Sequence, residues 1–443
     1  MKKLFPVIFI FIFAFSVFGQ KGFLFEKGVN KTVIPFKFIN NLIFIPIKVN
    51  GVELNFLLDS GVEETILFSM EDKKEVSFFN IEKITLRGLG EEESVEGLKS
   101  ANNTLEIRGL KSSGHLLYIV LDQSFNLSSR IGIPVNGIIG YHFLKNNLVE
   151  IDYDRKRITV YRDNDKNRKR IERKFQKVPI TIERLKPYIN SKVVMNSVEI
   201  PVKLLIDIGN SDAIWLFEDM PKAIKVPAKN FADYLGQGFS GDVEGKRAQI
   251  SKFTMADFEF YNPIIAFPDS SSIKNVQLVK DRSGSVGSEI LRRFLVVFDY
   301  QNQKMYLRKN GDFYSPFSYN KSGVEIQHDG LQWVQETVRL ETVPIVKSAD
   351  QVLKENESEN NFKYKFVLKP IYLIGNVRKN SPAALCGLQK GDVIVRVNNT
   401  SAYKYTLNEI NSLLKSEVEK WITFEVERQG KVLVFKFQLL NVL

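Results

Sequence analysis

Phe56-Leu57-Leu58-Asp59-Ser60-Gly61-Val62-Glu63-Glu64-Thr65-Ile66-Leu67 sets an aspartate in a tight turn directly after an apolar run. The chain repeats the arrangement as Leu204-Leu205-Ile206-Asp207-Ile208-Gly209-Asn210-Ser211-Asp212-Ala213-Ile214-Trp215-Leu216, so 148 positions separate Asp59 from Asp207. Working outward from the two aspartates, other landmarks keep that spacing. Gly88-Leu89-Gly90 matches Gly236-Gln237-Gly238, and Val95-Glu96-Gly97 matches Val243-Glu244-Gly245. Gly137-Ile138-Ile139-Gly140 matches Gly284-Ser285-Val286-Gly287, and Ile151-Asp152-Tyr153 matches Phe298-Asp299-Tyr300, both at an offset of 147. An offset that stays within one residue across five landmarks reads as two copies of one fold, over residues 20–165 and 166–315.

Within each copy the local pattern is β. Residues 42–49 and 52–58 are apolar, β-branched runs joined by Asn50-Gly51, a strong hairpin signal. Residues 81–86, 104–107 and 116–121 read as further strands, and residues 158–161 and 305–308 are expected to close each copy. Helix is expected only as short turns at 141–146 and 288–294. Asp152 and Asp299, each before a polar turn, read most simply as hairpin residues.

The 443 residues allow about three domains, and a composition of 44% hydrophobic and 26% charged residues excludes a disordered or fibrous chain. Lys2 and Lys3 precede an apolar run over 4–18, and Val17 and Gly19 suit a cleavage site, so residues 1–19 read as a secretory signal peptide. That run is shorter than the ~20 residues a spanning helix needs. No transmembrane anchor is therefore expected, and the chain is expected in the periplasm, at the cell surface or outside the cell. The single cysteine, Cys386, leaves no disulfide framework and reads as a small buried hydrophobe. Three scattered histidines, His115, His142 and His328, lack ligand spacing, so neither metal nor cofactor is expected. The net charge of +11 is concentrated in part over 162–177, which reads as a solvated linker: it has no interleaved aromatics for base stacking, and nucleic acid is not an expected partner.

Two carboxylates brought together hydrolyse an amide without metal or nucleophile. Neighbouring like charges cannot both ionise, so one group holds a proton and the other takes one from water. Gly61 and Gly209 let backbone approach closely beside each aspartate, and the Ser60 hydroxyl is placed to bond across to the other copy. The plain alternative is a turn carboxylate capping nearby amides.

Leu57-Leu58-Asp59-Ser60-Gly61, followed by Asn136-Gly137-Ile138-Ile139-Gly140, resembles the two signatures of the retropepsin-like aspartic proteases. The resemblance spans residues 30–315, once per copy. It implies two tandem closed β lobes forming a pseudo-dimer, with Asp59 and Asp207 catalytic. It also implies support from Ser60, Gly61 and Gly209 and from the runs Gly137, Ile138, Ile139, Gly140 and Gly284, Val286, Gly287. The flaps over an extended peptide would carry Gly88, Gly90 and Gly97 in one copy and Gly236, Gly238 and Gly245 in the other. Ile208 departs from the family, which has Thr or Ser there, so half of the hydroxyl bracing between the loops is expected to be missing.

Beyond Pro316 the pattern changes. Asn380-Ser381-Pro382-Ala383-Ala384-Leu385-Cys386-Gly387-Leu388, then Gly391-Asp392-Val393-Ile394 and Val397-Asn398, resembles the bacterial PDZ domain over 316–443. The resemblance implies an α+β domain that adds a ligand peptide as a strand. The groove would lie between residues 324–327 and a helix over 406–414, with Gly323, Val324 and Ile326 in contact and the amides of Ser322 and Gly323 on a C-terminal carboxylate. Residues 347–363 read as a flexible insertion. The expected function is that of an exported aspartic endopeptidase acting on peptide or protein substrates. The alternatives are a pseudoprotease acting as a peptide-binding scaffold, or an enzyme formed by pairing first lobes between chains.

Overall fold

A computed structural model of the chain describes residues 22–443 apart from 69–74, 87–94, 122–125, 239–240, 275, 277 and 340–361. Residues 1–19, read as a signal peptide, Gly88 and Gly90 of the first expected flap, and residues 347–361 of the expected insertion lie outside these residues. The architecture is mainly β. Asn50 and Gly51 both take positive φ, 49° and 90°, closing the hairpin Leu42–Val49 and Val52–Leu58 as their dipeptide demands.

Each copy builds its own large sheet, and the two sheets have the same heart. In the first, Gly137–Ile139 runs parallel to Val52–Leu58 and antiparallel to Thr65–Leu67. In the second, Arg282–Gly287 runs parallel to Val198–Asp207 and antiparallel to Ile214–Leu216. The strand that follows each aspartate thus returns beside the strand that precedes it, with the glycine-rich run between.

The expected closing strands pair within their own copies, Arg157–Tyr161 with Leu148–Asp152 and Lys31–Pro35, and Lys304–Lys309 with Phe294–Asp299 and Gln176–Pro179. Leu148–Asp152 and Arg157–Tyr161 of the first copy join Phe294–Asp299 and Lys304–Lys309 of the second in one six-stranded sheet. Its centre is the antiparallel pair Val149–Phe298 and Ile151–Val296, and Lys31–Pro35 and Gln176–Pro179 form its edges. Leu148–Asp152 and Phe294–Asp299 bridge the copies, each lying one strand in from the strand that closes its own copy. Local pattern carries no information on which copy a strand will pair with. The apolar core likewise runs unbroken from Phe23 to Phe313 through both copies. Residues 162–177, expected as a linker, carry the helix Asp165–Glu172. Asn164 caps it, and Ile171 is buried on Leu148, Tyr161, Val297 and Tyr306.

The C-terminal region has a separate core and a six-stranded sheet. Among the described residues its long strand Val324–Arg339 pairs only with Phe362–Val377, leaving a sheet edge. Thr406 and Glu409 form a capping box that starts the helix Leu407–Leu414, which buries Leu407, Ile410 and Leu414. Cys386 ends the short helix Pro382–Cys386 half-buried, where its thiol donates to the Ala383 carbonyl. Among the described residues no helix is long and apolar enough to cross a membrane, and no group of potential ligands gathers for a metal.

His115 is fully buried in the first copy, between the Thr65 hydroxyl at 2.7 Å and the Ser112 hydroxyl at 2.8 Å. Burial, with His142 beside it, pulls its pKa down to about 3. The folded chain holds this ring neutral whereas the unfolded chain protonates it near pH 6.5. The stability it contributes is therefore whole above pH 6.5 and drains as pH falls towards 3. In urea unfolding between pH 6.5 and 4, the wild type should lose up to about 1.4 kcal/mol per pH unit more than His115→Gln; parallel profiles would contradict this.

Candidate active site

The two aspartates meet at the floor of a cleft of about 1220 Å³ that both copies and the C-terminal domain line. Each carboxylate is held by its own loop. Asp59 Oδ1 accepts the Gly61 amide at 2.7 Å, and Asp207 Oδ1 accepts the Gly209 amide at 3.1 Å. The carboxyl groups are within hydrogen-bonding reach of each other. Glycine is what permits this approach. A Cβ on Gly209 would fall 2.2 Å from Asp59 Cγ, and one on Gly61 would fall 3.2 Å from Asp207 Cγ. Each loop thus offers bare backbone to the other loop's carboxyl.

Burial, reinforced by the neighbouring charge of Asp207, pushes the Asp59 carboxyl well above the usual range. Burial raises Asp207 as well, but the Arg282 guanidinium, a hydrogen bond from Asp59 and the Gly209 amide pull it back. The pair therefore favours one shared proton, held towards Asp59.

The loops are braced from below. The Asp59 amide donates to Ile139 O at 2.8 Å, and the Gly287 amide donates to Ala213 O at 2.9 Å. A Cβ at Gly137, Gly140, Gly284 or Gly287 would lie 1.8–2.4 Å from a backbone oxygen of the adjoining strand or loop. Ile138, Ile139 and Val286 fill the space beside these strands and are buried. Ser60, fully buried, crosses between copies: its hydroxyl donates to Ile206 O at 2.6 Å and accepts the Ile208 amide at 3.0 Å. Ile208 has no hydroxyl to return the bond. Its side chain is fully buried in the shared core, and the Ser288 hydroxyl satisfies its carbonyl at 3.0 Å. The second loop thus exchanges a polar brace for apolar burial of about 1.5–3 kcal/mol.

The glycine-rich hairpins differ. Asn230–Gly238 and Gly241–Gln249 pair across Gly238 and Gly241, and Tyr234, Leu235, Gly236, Gln237 and Gly238 face the cleft. Gly245, further down, packs its backbone against Phe267 O. In the first copy, Ile81–Leu86 pairs with Val95–Ile107, which carries the buried Gly97, but no described residue of this hairpin lines the cleft. The helix Leu127–Ile131 stands on that side instead, with Leu127, Arg130 and Ile131 on the wall.

Arg130 joins all three parts of the molecule. It pairs with Asp242 of the second-copy hairpin at 3.2 Å and with Glu325 of the C-terminal domain at 3.1 Å, and it lies over the Tyr234 ring at 4.7 Å. Arg378 of the C-terminal domain reaches the same hairpin, stacking on Phe231 at 4.2 Å beside Asp233 at 3.5 Å. In the expected peptide groove, Val324 and Ile326 are buried in the domain's own core. The amides of Ser322 and Gly323, assigned in the sequence to a carboxylate, donate to Asn320 Oδ1 at 3.1 and 3.2 Å, and the Val324 amide donates to the Ser322 hydroxyl at 3.0 Å. Sequence reasoning missed Arg130, Arg282 and Glu325, none of which sits in a motif. It also read Tyr300 only as part of a hairpin. The Tyr300 hydroxyl is buried without a hydrogen bond, close enough for the charges of Asp59 and Asp207 to raise its pKa further after burial.

Residues 373–428 match the family model described as PDZ domain, so the C-terminal part of the chain is a PDZ domain. A protein named probable protease eep, from Enterococcus faecalis, is 40% identical over 58 residues, which are 13% of this chain and 13% of that protein. The crystal structure of an aspartic proteinase from Irpex lacteus superposes with a TM-score of 0.42 at 13% identity, over 64% of this chain and 99% of that one. A superposition that loose carries no weight for the fold or the site.

Ser60→Ala would strand Ile206 O and the Ile208 amide in the buried inter-copy junction. It should cost about 1–3 kcal/mol in urea unfolding, whereas a null effect would show that the brace is dispensable. Glu325 provides a pH test of the domain junction. Burial holds its carboxyl up to about 7, against the pull of Arg130. The stability it contributes is whole below its unfolded value near 4.3 and is lost as pH rises through 7. Glu325→Gln keeps the uncharged form, so its melting temperature should exceed that of wild type at pH 8 by more than at pH 5; an equal difference at both would count against the shift.

Proposed function

We propose that the chain is an aspartic endopeptidase of two tandem retropepsin-like lobes, residues 20–165 and 166–315, followed by a PDZ domain at 316–443. The observation that carries this reading is the pair Asp59 and Asp207: two carboxyls from a duplicated strand and turn, within hydrogen-bonding reach, both raised in pKa, at the floor of a long cleft. A cleft of about 1220 Å³ exceeds the ~300–1,000 Å³ of small-molecule sites and suits an extended peptide. The Enterococcus protein, which is 40% identical over 58 residues, is named a probable protease, in keeping with this reading.

Each residue then has a role. Asp207, held back towards ionisation by Arg282 and the Gly209 amide, takes a proton from a water as its oxygen attacks the peptide carbonyl. Asp59, which holds the shared proton, gives it to the carbonyl oxygen. Collapse of the resulting gem-diol breaks the C–N bond, with the proton on Asp207 passing to the leaving nitrogen and the hydroxyl proton returning to Asp59. Gly61 and Gly209 keep the carboxyls apposed, Ser60 ties the loops, and the hairpin around Gly236 and Gly238 covers the peptide. No metal or cofactor has a role in this chemistry. The sequence features of residues 1–19 support export, and peptide recognition by the PDZ domain belongs to the same reading.

Hydrolysis of a mixed peptide library across pH 3–8 by the mature protein, beside Asp59→Asn and Asp207→Asn and with and without pepstatin, tests the proposal. Each substitution should lower cleavage at least about a thousandfold, as expected when one member of a unit that acts together is lost. Loss only on changing Asp59 would indicate pairing of first lobes between chains. A folded wild type without cleavage at any pH would leave the peptide-binding scaffold, with Ile208 marking its decay.

A further inference from the structure

The PDZ domain does not stand apart from the cleft; its helix Leu407–Leu414 forms one wall. Leu407, Ile410 and Leu414 turn into the domain core, and Asn408, Asn411, Ser412 and Lys415 turn towards the cleft, at the spacing of a single helical face. The position is set by direct contacts with the first lobe. The Asn40 amide donates to Asn408 Oδ1 at 3.4 Å, and a Cβ on Gly132 would lie 3.1 Å from Leu407 Cβ, so the helix start abuts the end of Leu127–Ile131. The Arg130–Glu325 pair and the Arg378–Phe231 stack hold the same junction from either side.

Lys415 closes that helical face. Its side chain is exposed to the cleft and makes no ion pair among the described residues; loss of water to the surrounding protein pulls its pKa down, while Asp212 and Glu289 act to raise it. The carboxylates near it are already engaged. Asp212, five residues beyond Asp207 on the same loop, binds Arg247 at 2.8 Å and the Trp215 indole at 2.8 Å. Glu289 binds Arg292 at 2.9 Å and Arg293 at 2.8 Å, and accepts from Asn41 at 2.7 Å. Lys415 is thus a cation whose nearby carboxylates, Asp212 and Glu289, are shared with Arg247, Arg292 and Arg293, and Asp212 sits on the loop that carries Asp207. A carboxylate arriving on a ligand gains an unshared ion pair there, while an amide or an alkyl group leaves the ammonium unpaired.

We propose that this corner, built by the PDZ helix against the Asp212 loop, is a substrate subsite in which Lys415 binds an acidic side chain flanking the scissile bond. The inference rests on the reading of the cleft as a peptidase site, and it makes the PDZ domain a determinant of cleavage specificity through its helix rather than through its carboxylate loop, whose amides Asn320 and Ser322 already occupy.

The test uses the full mature chain in two arms. In the first, hydrolysis is profiled on paired peptide libraries carrying Glu or Gln at each position in turn. One position should favour Glu about tenfold, a difference worth about 1.4 kcal/mol. Lys415→Ala should abolish that ratio through KM, Lys415→Arg should retain it, and Lys415→Glu should turn it towards Lys. In the second arm, the same Glu and Gln peptides, fluorescein-labelled, are titrated onto the Asp59→Asn chain with and without Lys415→Ala. Preference for Glu that vanishes with Lys415 supports the subsite even if the wild type cleaves nothing, in which case only the peptidase reading falls. Cleavage without a Glu preference at any position, a preference that survives Lys415→Ala, or equal or absent binding of both peptides overturns the subsite.

Discussion

Two carboxyl groups that repel when ionised are held against each other, and much of the molecule is arranged to keep them there. The force required comes from neighbouring backbone. Gly61 and Gly209 admit the opposing carboxyls, the amides of the same glycines bind them, and Ser60 ties one loop to the strand of the other. Behind the loops the two copies cannot drift apart, because their last strands share a sheet and their cores are one. Proton sharing between Asp59 and Asp207 follows from that confinement. Separating the copies would expose continuous apolar core, so the apposition is maintained by burial that is far larger than the repulsion it opposes.

The second loop solves the bracing problem differently from the first. Ile208 stands where a hydroxyl would give a reciprocal bond, and it is sunk into the shared core instead. Ser60 supplies two polar contacts across the junction, to Ile206 O and to the Ile208 amide, so the position without a hydroxyl still keeps its backbone satisfied. The asymmetry extends outward. Residues of the second-lobe hairpin line the cleft, and so do the helix Leu127–Ile131 and the PDZ domain. Arg130 sits where these three meet, with a carboxylate from each of two partners and an aromatic face from the hairpin. A third domain in this way lines a cleft whose floor and other walls come from two copies of one fold.

Much of the first level was legible in the sequence. The strands Leu42–Val49 and Val52–Leu58 and their Asn-Gly turn were readable because alternation, branching and positive φ are local properties. The apposition of Asp59 and Asp207 was readable because a duplication carries its own geometry: equal offsets imply equal surroundings around a pseudo-two-fold axis. Other features were not readable for the converse reason. Leu148–Asp152 and Phe294–Asp299 pattern as apolar strands whether they pair within a copy or between copies. The helix Asp165–Glu172 hides in a run of charges because its only buried side chain is Ile171. Asn320, which fills the amides of the PDZ loop, lies outside the motif that suggested a carboxylate there.

By itself, the sequence determined a duplicated β fold with one aspartate per copy, glycine beside each, and a PDZ domain behind them, since each of these is written in nearest-neighbour pattern and repeat spacing. Only the tertiary structure decided that Ile208 belongs to a common core, that the last strands of both copies form one sheet, and that the polar face of the PDZ helix looks into the cleft. These depend on surfaces hundreds of residues apart meeting in space, and no local periodicity records which of two equally apolar or equally polar faces will find the other.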